Sequence, residues 1–212
     1  MKQKKQGVYA RYIKRLLDIV LSGCALIVLS PVLLIVAGLV RSKLGSPVIF
    51  CQERPGKNEK IFKMYKFRSM TDERDENGEL LPDEVRLTDF GRILRSTSLD
   101  ELPELWNIFK GDMSIVGPRP ERPEIAREYE QEMPEFALRL QAKAGLTGLA
   151  QVYGKYNTTP YNKLQMDLQY IGSMGIVTDV KLMFATVKIL FMPESTEGVS
   201  QGQTTASKNE EQ

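Results

Sequence analysis

The hydrophobic pattern divides the chain unevenly. Residues 1–15 are rich in lysine and arginine, with Tyr9 and Tyr12 among them. Ile19 to Val40 then runs without a charge. At about 1.5 Å per residue, such a helix reaches across a ~30 Å hydrocarbon core. The run is too long for a cleaved signal peptide, and no A-x-A-like site follows it. Ser30 and Pro31 fall mid-run, where proline removes a backbone donor and kinks a helix. Arg41 and Lys43 close the run, so both flanks are basic, and basic flanks favour the cytoplasmic face. Two readings stay open at this point. One is a kinked spanning helix; the other is a helix that turns back, with residues 5 and 43 on the same side. Asp18 sits where the run begins, shallow enough to face headgroups or the basic arm.

Val48 to Arg68 predicts a β-hairpin. Pro47 to Gln52 is β-prone, Arg54 to Glu59 is turn chemistry, and Ile61 to Arg68 alternates. Alternation puts Lys63, Tyr65 and Phe67 on one face and Phe62, Met64, Lys66 and Arg68 on the other. Such a mixed face can rest on lipid, frame an anion site, or simply be a solvated edge. Thr71 to Asp89 is acidic and turn-rich and reads as a mobile surface loop. Pro123 to Leu140 reads as helix with a break at Pro134. Ala144 to Val152 holds two glycines three apart and reads as a tight loop. Asn162 to Tyr170 and Asp179 to Met192 read as helices. The second mixes apolar residues with Lys181 and Lys188, which suits either a membrane surface or a core helix. Glu194 to Gln212 is nearly devoid of apolar residues and reads as disordered.

Composition narrows the chemistry. The 212 residues suit one domain with an appendage, and the net charge of +2 implies no bulk electrostatic partner. Lys2, Lys4, Lys5, Arg11, Lys14 and Arg15 precede any acid, but they abut the apolar run, so nucleic-acid binding is not indicated. Cys24 and Cys51 are the two cysteines, too few for a disulfide framework or a cysteine metal site. There is no histidine, which excludes Ser-His-Asp, Cys-His and histidine-metal chemistry within this chain. P-loop and Rossmann glycine patterns are absent. Any catalysis therefore falls to carboxylates, lysine, tyrosine or a bound cation.

Arg95 to Arg122, RSTSLDELPELWNIFKGDMSIVGPRPER, is the densest stretch of candidate chemistry. Pro103 is tolerated only in the first turn of a helix, so a helix starts near Asp100 to Leu102, and Gly111 stops it. Asp100 would then sit at or beside the N-cap, where the helix dipole favours its charged form. A second anion such as phosphate is favoured at the same place. With Arg95 and Arg119 nearby, this arrangement would suit a phosphoryl-transfer centre. The plainer alternative is structural: Ser98 and Glu101 spell S-x-x-E, a capping box.

The order of these motifs carries a resemblance. A basic arm, an apolar run with Ser30-Pro31, KFRSM at Lys66 to Met70, and SLDELPELWNIFKGDMSIVGPRP resemble the bacterial sugar transferases, monotopic polyprenol-phosphate phosphoglycosyl transferases. The resemblance covers roughly residues 11 to 192. It implies a mainly α fold with a short β-hairpin, built as a re-entrant N-terminal membrane helix plus interfacial helices on a cytosolic catalytic domain. The implied divisions are 1–43 for arm and membrane helix, 44–193 for the catalytic domain and 194–212 for a disordered tail.

The implied reaction moves a sugar-1-phosphate from a UDP-sugar to undecaprenyl phosphate and releases UMP, at the cytoplasmic face of the bacterial inner membrane. Asp100 would be the nucleophile and Glu101 its partner in the second step. Lys66, Arg95 and Arg119 match the family's basic site positions, and Ser30-Pro31 its helix-breaking pair. Mg²⁺ would bridge Asp100 and the diphosphate. The implied partners are the two substrates and the lipid bilayer, without nucleic acid, and a homodimer stays open. Lys143-Ala stands where many relatives have Arg-Pro, which departs from the pattern in the 144–151 loop. Two other classes compete: a membrane-anchored interaction protein, and a nucleotide-sugar glycosyltransferase of another fold, which would release UDP.

Overall fold

The computed structural model describes residues 7–154 and 158–190. The lysines at positions 2, 4 and 5 and the expected disordered tail lie outside them. A π-helical turn, Tyr9–Ile13, leads into α1 (Lys14–Val28), and α2 (Ser30–Lys43) follows after a break at Leu29. The two axes are bent by 63°, and among the described residues no single helix is long and apolar enough to cross a membrane. The break has a local cause. Pro31 has no N–H to give the Ile27 carbonyl four residues back. The Ser30 hydroxyl donates to that carbonyl instead, at 2.8 Å. Ile27, Val28, Leu34 and Ile35 around the bend are all more than half exposed, leaving an uncovered apolar surface.

The opposite side of the bent pair packs into the rest of the protein. Ala25, Leu26 and Leu29 lie against a core of Phe62, Met64, Leu105, Ile108, Met113 and Ala144. Val36 and Val40 join Leu44, Phe67 and Leu94 in a second core. Polar anchors accompany them. Asp18 does not face headgroups: it is buried, and its Oδ1 accepts from Ser114 Oγ and Ile115 N, both at 3.0 Å. A buried carboxylate needs such donors, and this part of the chain supplies them. Lys14, which is buried, and Arg15 of the basic arm also bind the rest of the protein. Lys14 Nζ is 2.6 Å from Asp179 Oδ2. Arg15 donates to the Ile108 and Phe109 carbonyls at 2.7 Å.

The hairpin forms where expected: β1 (Ile49–Pro55) runs antiparallel to β2 (Ile61–Phe67), with Ile49 opposite Phe67 and Pro55 opposite Ile61. Phe62 and Met64 face the core, and Lys66 continues their side of the strand. Phe67 is also buried, against the second core, so the alternation ends there. A short helix, α3 (Asp83–Arg86), forms within the acidic loop; α4 (Asp89–Ser96) follows it, capped by the Thr88 hydroxyl, which accepts from Gly91 N. A 3₁₀ turn, Leu99–Glu101, precedes α5 (Glu104–Lys110), which Gly111 ends at φ 101°.

The sequence reading missed a second sheet. β3 (Met113–Val116) pairs in parallel with β4 (Ala144–Thr147), Met113 opposite Ala144. The segment read as a tight loop is thus half strand; the remainder forms α7 (Leu149–Tyr153). Four-residue strands carry too little periodicity to be seen in sequence. Their pairing needs bare backbone: a Cβ on Gly145 would lie 2.1 Å from Gly117 N, and one on Gly148 would lie 2.2 Å from Gly117 O. Between these strands run α6 (Pro123–Glu132) and a 3₁₀ segment, Pro134–Gln141, broken as expected at Pro134. Helices α8 (Pro160–Gly172) and α9 (Ile176–Leu190) are the last elements of the described residues. Leu182 of α9 packs on Val116 and Tyr170, while Val177, Phe184 and Val187 on its other side are exposed.

Candidate active site

Three chain reversals bring the site together. The first lies between α4 and α5, where Ser98 takes left-handed backbone angles, φ 55°, and turns the 3₁₀ segment back. The second is the hairpin, and the third is the Gly117 to Pro120 turn after β3. Asn107 locks the first two. It is fully buried on α5, its Oδ1 accepts from Tyr65 N at 3.0 Å, and its Nδ2 donates to the Lys63 carbonyl at 2.7 Å. The amide replaces a missing strand partner for β2 and so fixes Lys66 relative to α5.

Glu101 is the hub. Lys66 Nζ lies 2.7 Å from its Oε1, and Arg119 Nη2 lies 2.6 Å from the same oxygen. Lys66 also reaches Glu104 Oε1 at 3.2 Å. Asp100, next in the chain, is buried, with only 8% of its surface exposed. Arg95, in the last turn of α4, is held by Ser69 of the KFRSM stretch, Nε to Oγ 2.9 Å. Arg95 therefore meets the site as a neighbouring charge near Asp100. Of the site residues named from sequence, Asp100, Glu101, Lys66, Arg95 and Arg119 converge here. Ser30 and Pro31 form the helix break, away from this cluster.

The electrostatics correct one expectation. A helix start was expected to hold Asp100 charged. α5 begins only at Glu104, and no side chain caps it or the 3₁₀ turn before it. The Ser98–Glu101 capping box does not form, because Glu101 is committed to Lys66 and Arg119. Burial, then the charge of Glu101, pushes the Asp100 carboxyl up to about 6, against the pull of Lys66, Arg95 and Arg119. Glu101 goes the other way. Burial opposes its charge, but Arg119 and Lys66 together outweigh burial and hold it well below the usual carboxylate range. Burial, with Glu101 beside it, raises Glu104. The dyad is thus split into one firmly ionised member and one whose charge is left short of compensation.

Sequence reasoning missed Glu104, Asn107, Arg139 and Asp167. Glu104 stood within the DELPEL run and one helical turn from Glu101, which was a usable signal. The other three act through long-range contacts that no local pattern records.

Among the described residues, no group of three carboxylates, cysteines or histidines is placed to hold a metal ion. A divalent cation held by one carboxylate and substrate phosphates needs no such group. Asp100 suits that arrangement. It is an oxygen donor whose charge is only partly compensated, since the hydrogen bonds of Lys66 and Arg119 go to Glu101.

Cations gathered around a paired carboxylate are a charge arrangement suited to the transfer of an anionic group. The family model for bacterial sugar transferases matches residues 9–193. The chain belongs to that family. It is 42% identical over 185 residues to the uncharacterized sugar transferase EpsL of Bacillus subtilis, covering 87% of this chain and 90% of that one. It is 42% identical over 186 residues to the exopolysaccharide production protein PSS of Rhizobium leguminosarum, with 82% and 93% covered. It is also 41% identical over 181 residues to the UDP-glucose:undecaprenyl-phosphate glucose-1-phosphate transferase of Klebsiella pneumoniae, where 82% of this chain matches 39% of a longer protein. The chain thus spans nearly all of its shorter relatives and about two fifths of that longer one.

Proposed function

We propose that this enzyme transfers a sugar-1-phosphate from a UDP-sugar to undecaprenyl phosphate, with Asp100 as a covalent nucleophile, to begin assembly of an exopolysaccharide, capsule or related glycan. The observation that carries the reading is the split dyad: a buried Asp100 carboxylate short of compensation, beside Glu101, which holds Lys66 and Arg119 at one oxygen.

In the first step an Asp100 oxygen attacks the sugar-linked phosphorus of the donor. The bond from that phosphorus to the bridging oxygen breaks, and UMP leaves with the electron pair. In the second step an oxygen of undecaprenyl phosphate attacks the same phosphorus, and the Asp100 carboxylate departs unchanged. Two in-line displacements replace one, which is the use of a covalent intermediate. Both substrates are anions, so Lys66, Arg95 and Arg119 offset charge that gathers at the transferring phosphoryl. Glu101 orients the first and last of these. When bound at Asp100, Mg²⁺ would supply charge neutralisation at the diphosphate.

The bent pair α1–α2 fits a re-entrant element that dips into one leaflet, its exposed bend carrying Ile27, Val28, Leu34 and Ile35 into the hydrocarbon. The exposed apolar side of α9 would rest at the same interface. Basic residues on both flanks favour the cytoplasmic side of the inner membrane. An interaction protein without chemistry has no use for the charge arrangement at Glu101. The test is nucleotide release from a panel of UDP-sugars with undecaprenyl phosphate in detergent. UMP as product supports the reading; UDP would indicate ordinary glycosyl transfer and contradict it.

A further inference from the structure

Behind the Gly117 to Pro120 turn lies an ion pair that touches no side chain expected to meet substrate. Arg139, in the 3₁₀ segment, is 5% exposed, and Asp167, on α8, is 1% exposed. Arg139 Nε and Nη2 reach a single Asp167 oxygen at 2.9 and 2.7 Å. Nη2 also donates to the carbonyl of Arg119 at 2.8 Å. The face of the guanidinium lies 4.7 Å from the centre of the Phe136 ring. Glu121, just past the turn, sits 3.9 Å from Nη1.

We propose that Arg139, oriented by Asp167, is a positioning residue that sets the backbone of Arg119 and thereby the guanidinium that meets Glu101. The inference rests on the phosphoryl-transfer reading of the site. Pro118 and Pro120 fix their own φ, and Pro120 holds Arg119 in extended backbone. What remains to be set is the plane of the Arg119–Pro120 peptide, and the hydrogen bond to the Arg119 carbonyl sets it. A planar guanidinium suits the task, because fixing two of its nitrogens on Asp167 fixes where its donors point. Stability alone does not require the pair. Buried ion pairs are often matched or bettered by apolar residues of the same size. Here a donor of the buried fork is directed to the carbonyl of a site arginine. Arg119 itself is half-exposed in a short turn and needs a fixed base to present its side chain at a constant angle.

The experiment is a double-variant comparison on the full chain in detergent, read as nucleotide release. Arg139→Lys and Asp167→Asn are each made alone and in an Arg119→Lys background. Arg139→Lys keeps a charge to pair with Asp167 but cannot also hold the Arg119 carbonyl rigidly. Thermal unfolding reports the folded fraction of every variant. In the wild-type background each change should lower kcat/KM per folded enzyme by about tenfold to a hundredfold, the scale of small misplacements in a site. In the Arg119→Lys background the further loss should shrink to about twofold or less, since a flexible ammonium no longer depends on the backbone setting. Equal fold losses in both backgrounds would overturn the proposal, as would losses that track only the folded fraction. Should the wild type release UDP instead of UMP, the transfer reading fails, while the same comparison on UDP still decides the positioning.

Discussion

Arg119 and Lys66 meet at one atom. Their nitrogens lie 2.6 and 2.7 Å from the same Glu101 oxygen, although the two residues come from a turn after β3 and from β2. Glu101 therefore does not attack anything in the account above; it holds two cations beside Asp100. Its charge is secured by both of them. Arg119→Lys should lower turnover about tenfold or more, because a point charge replaces a rigid fork. Steady-state UMP release checks this. Wild-type rate and donor affinity in the variant would make Arg119 peripheral.

Asp100 yields a prediction of opposite sign for activity and stability. Asp100→Asn should abolish turnover and yet stabilise the fold at neutral pH. The folded carboxyl is raised to about 6 from an ordinary 3.8. Between those values the unfolded chain has already lost its proton while the folded chain keeps it. Stability contributed by the protonated form is present below pH 3.8 and is lost as pH rises through about 6. At pH 7 the buried charge costs on the order of 2–3 kcal/mol, and asparagine removes that cost. Melting curves of both proteins between pH 4 and 7 should converge at the acid end and separate toward neutrality. A wild type more stable than the variant at pH 7 would contradict the burial argument.

Asn107 ties the hairpin to α5 by two backbone hydrogen bonds. Asn107→Ala leaves Tyr65 N–H and the Lys63 carbonyl unpaired, at a cost of about 2 kcal/mol or more. Because Lys66 stands on the same strand, specific activity of the folded fraction should fall as well. Chemical unfolding and UMP release measured together check both parts. Loss of stability with full specific activity would separate the hairpin anchor from the site.

The bend at Leu29 should be removable. Replacing Ser30-Pro31 with Ala-Leu restores an N–H for the Ile27 carbonyl and should straighten the pair toward a spanning helix. Single cysteines at Lys5 and Lys43, in a background lacking Cys24 and Cys51, report their side through an impermeant reagent on intact cells. Neither position should label in the wild-type segment, and position 5 should label in part after the replacement. Labelling of position 5 from outside without the replacement would sink the re-entrant arrangement and leave the catalytic assignment untouched.

The parts legible in sequence were those with a local signature. Pro31 inside an apolar run, the alternation of Ile61 to Phe67 and the left-handed stop at Gly111 each follow from a few neighbouring residues. Lys66, Arg119 and the Asp100–Glu101 pair came from an ordered set of motifs, and the fold brings them to one place. What stayed hidden depends on distant partners. Asp18 looked like a contact to headgroups or to the basic arm because Ser114 and Ile115 are far away in the chain. Asp100 looked like a carboxyl whose surroundings favour its charge, because its burial cannot be read locally. The β3–β4 pair escaped because its four-residue strands are too short to show a period, and the close approach of Gly117 to Gly145 that it needs is a long-range contact. Arg139 and Asp167 sit in stretches that read only as helix.

The covalent role of Asp100 is the central claim, and intact-protein mass spectrometry tests it most directly. The purified enzyme is mixed with Mg²⁺ and an accepted UDP-sugar, without undecaprenyl phosphate. The account predicts one equivalent of UMP and a mass increase of one sugar-phosphate, mapped to the peptide containing Asp100, absent in Asp100→Asn and discharged when undecaprenyl phosphate is added. Transfer that proceeds on adding acceptor, with no adduct and no early UMP before it, would contradict the account.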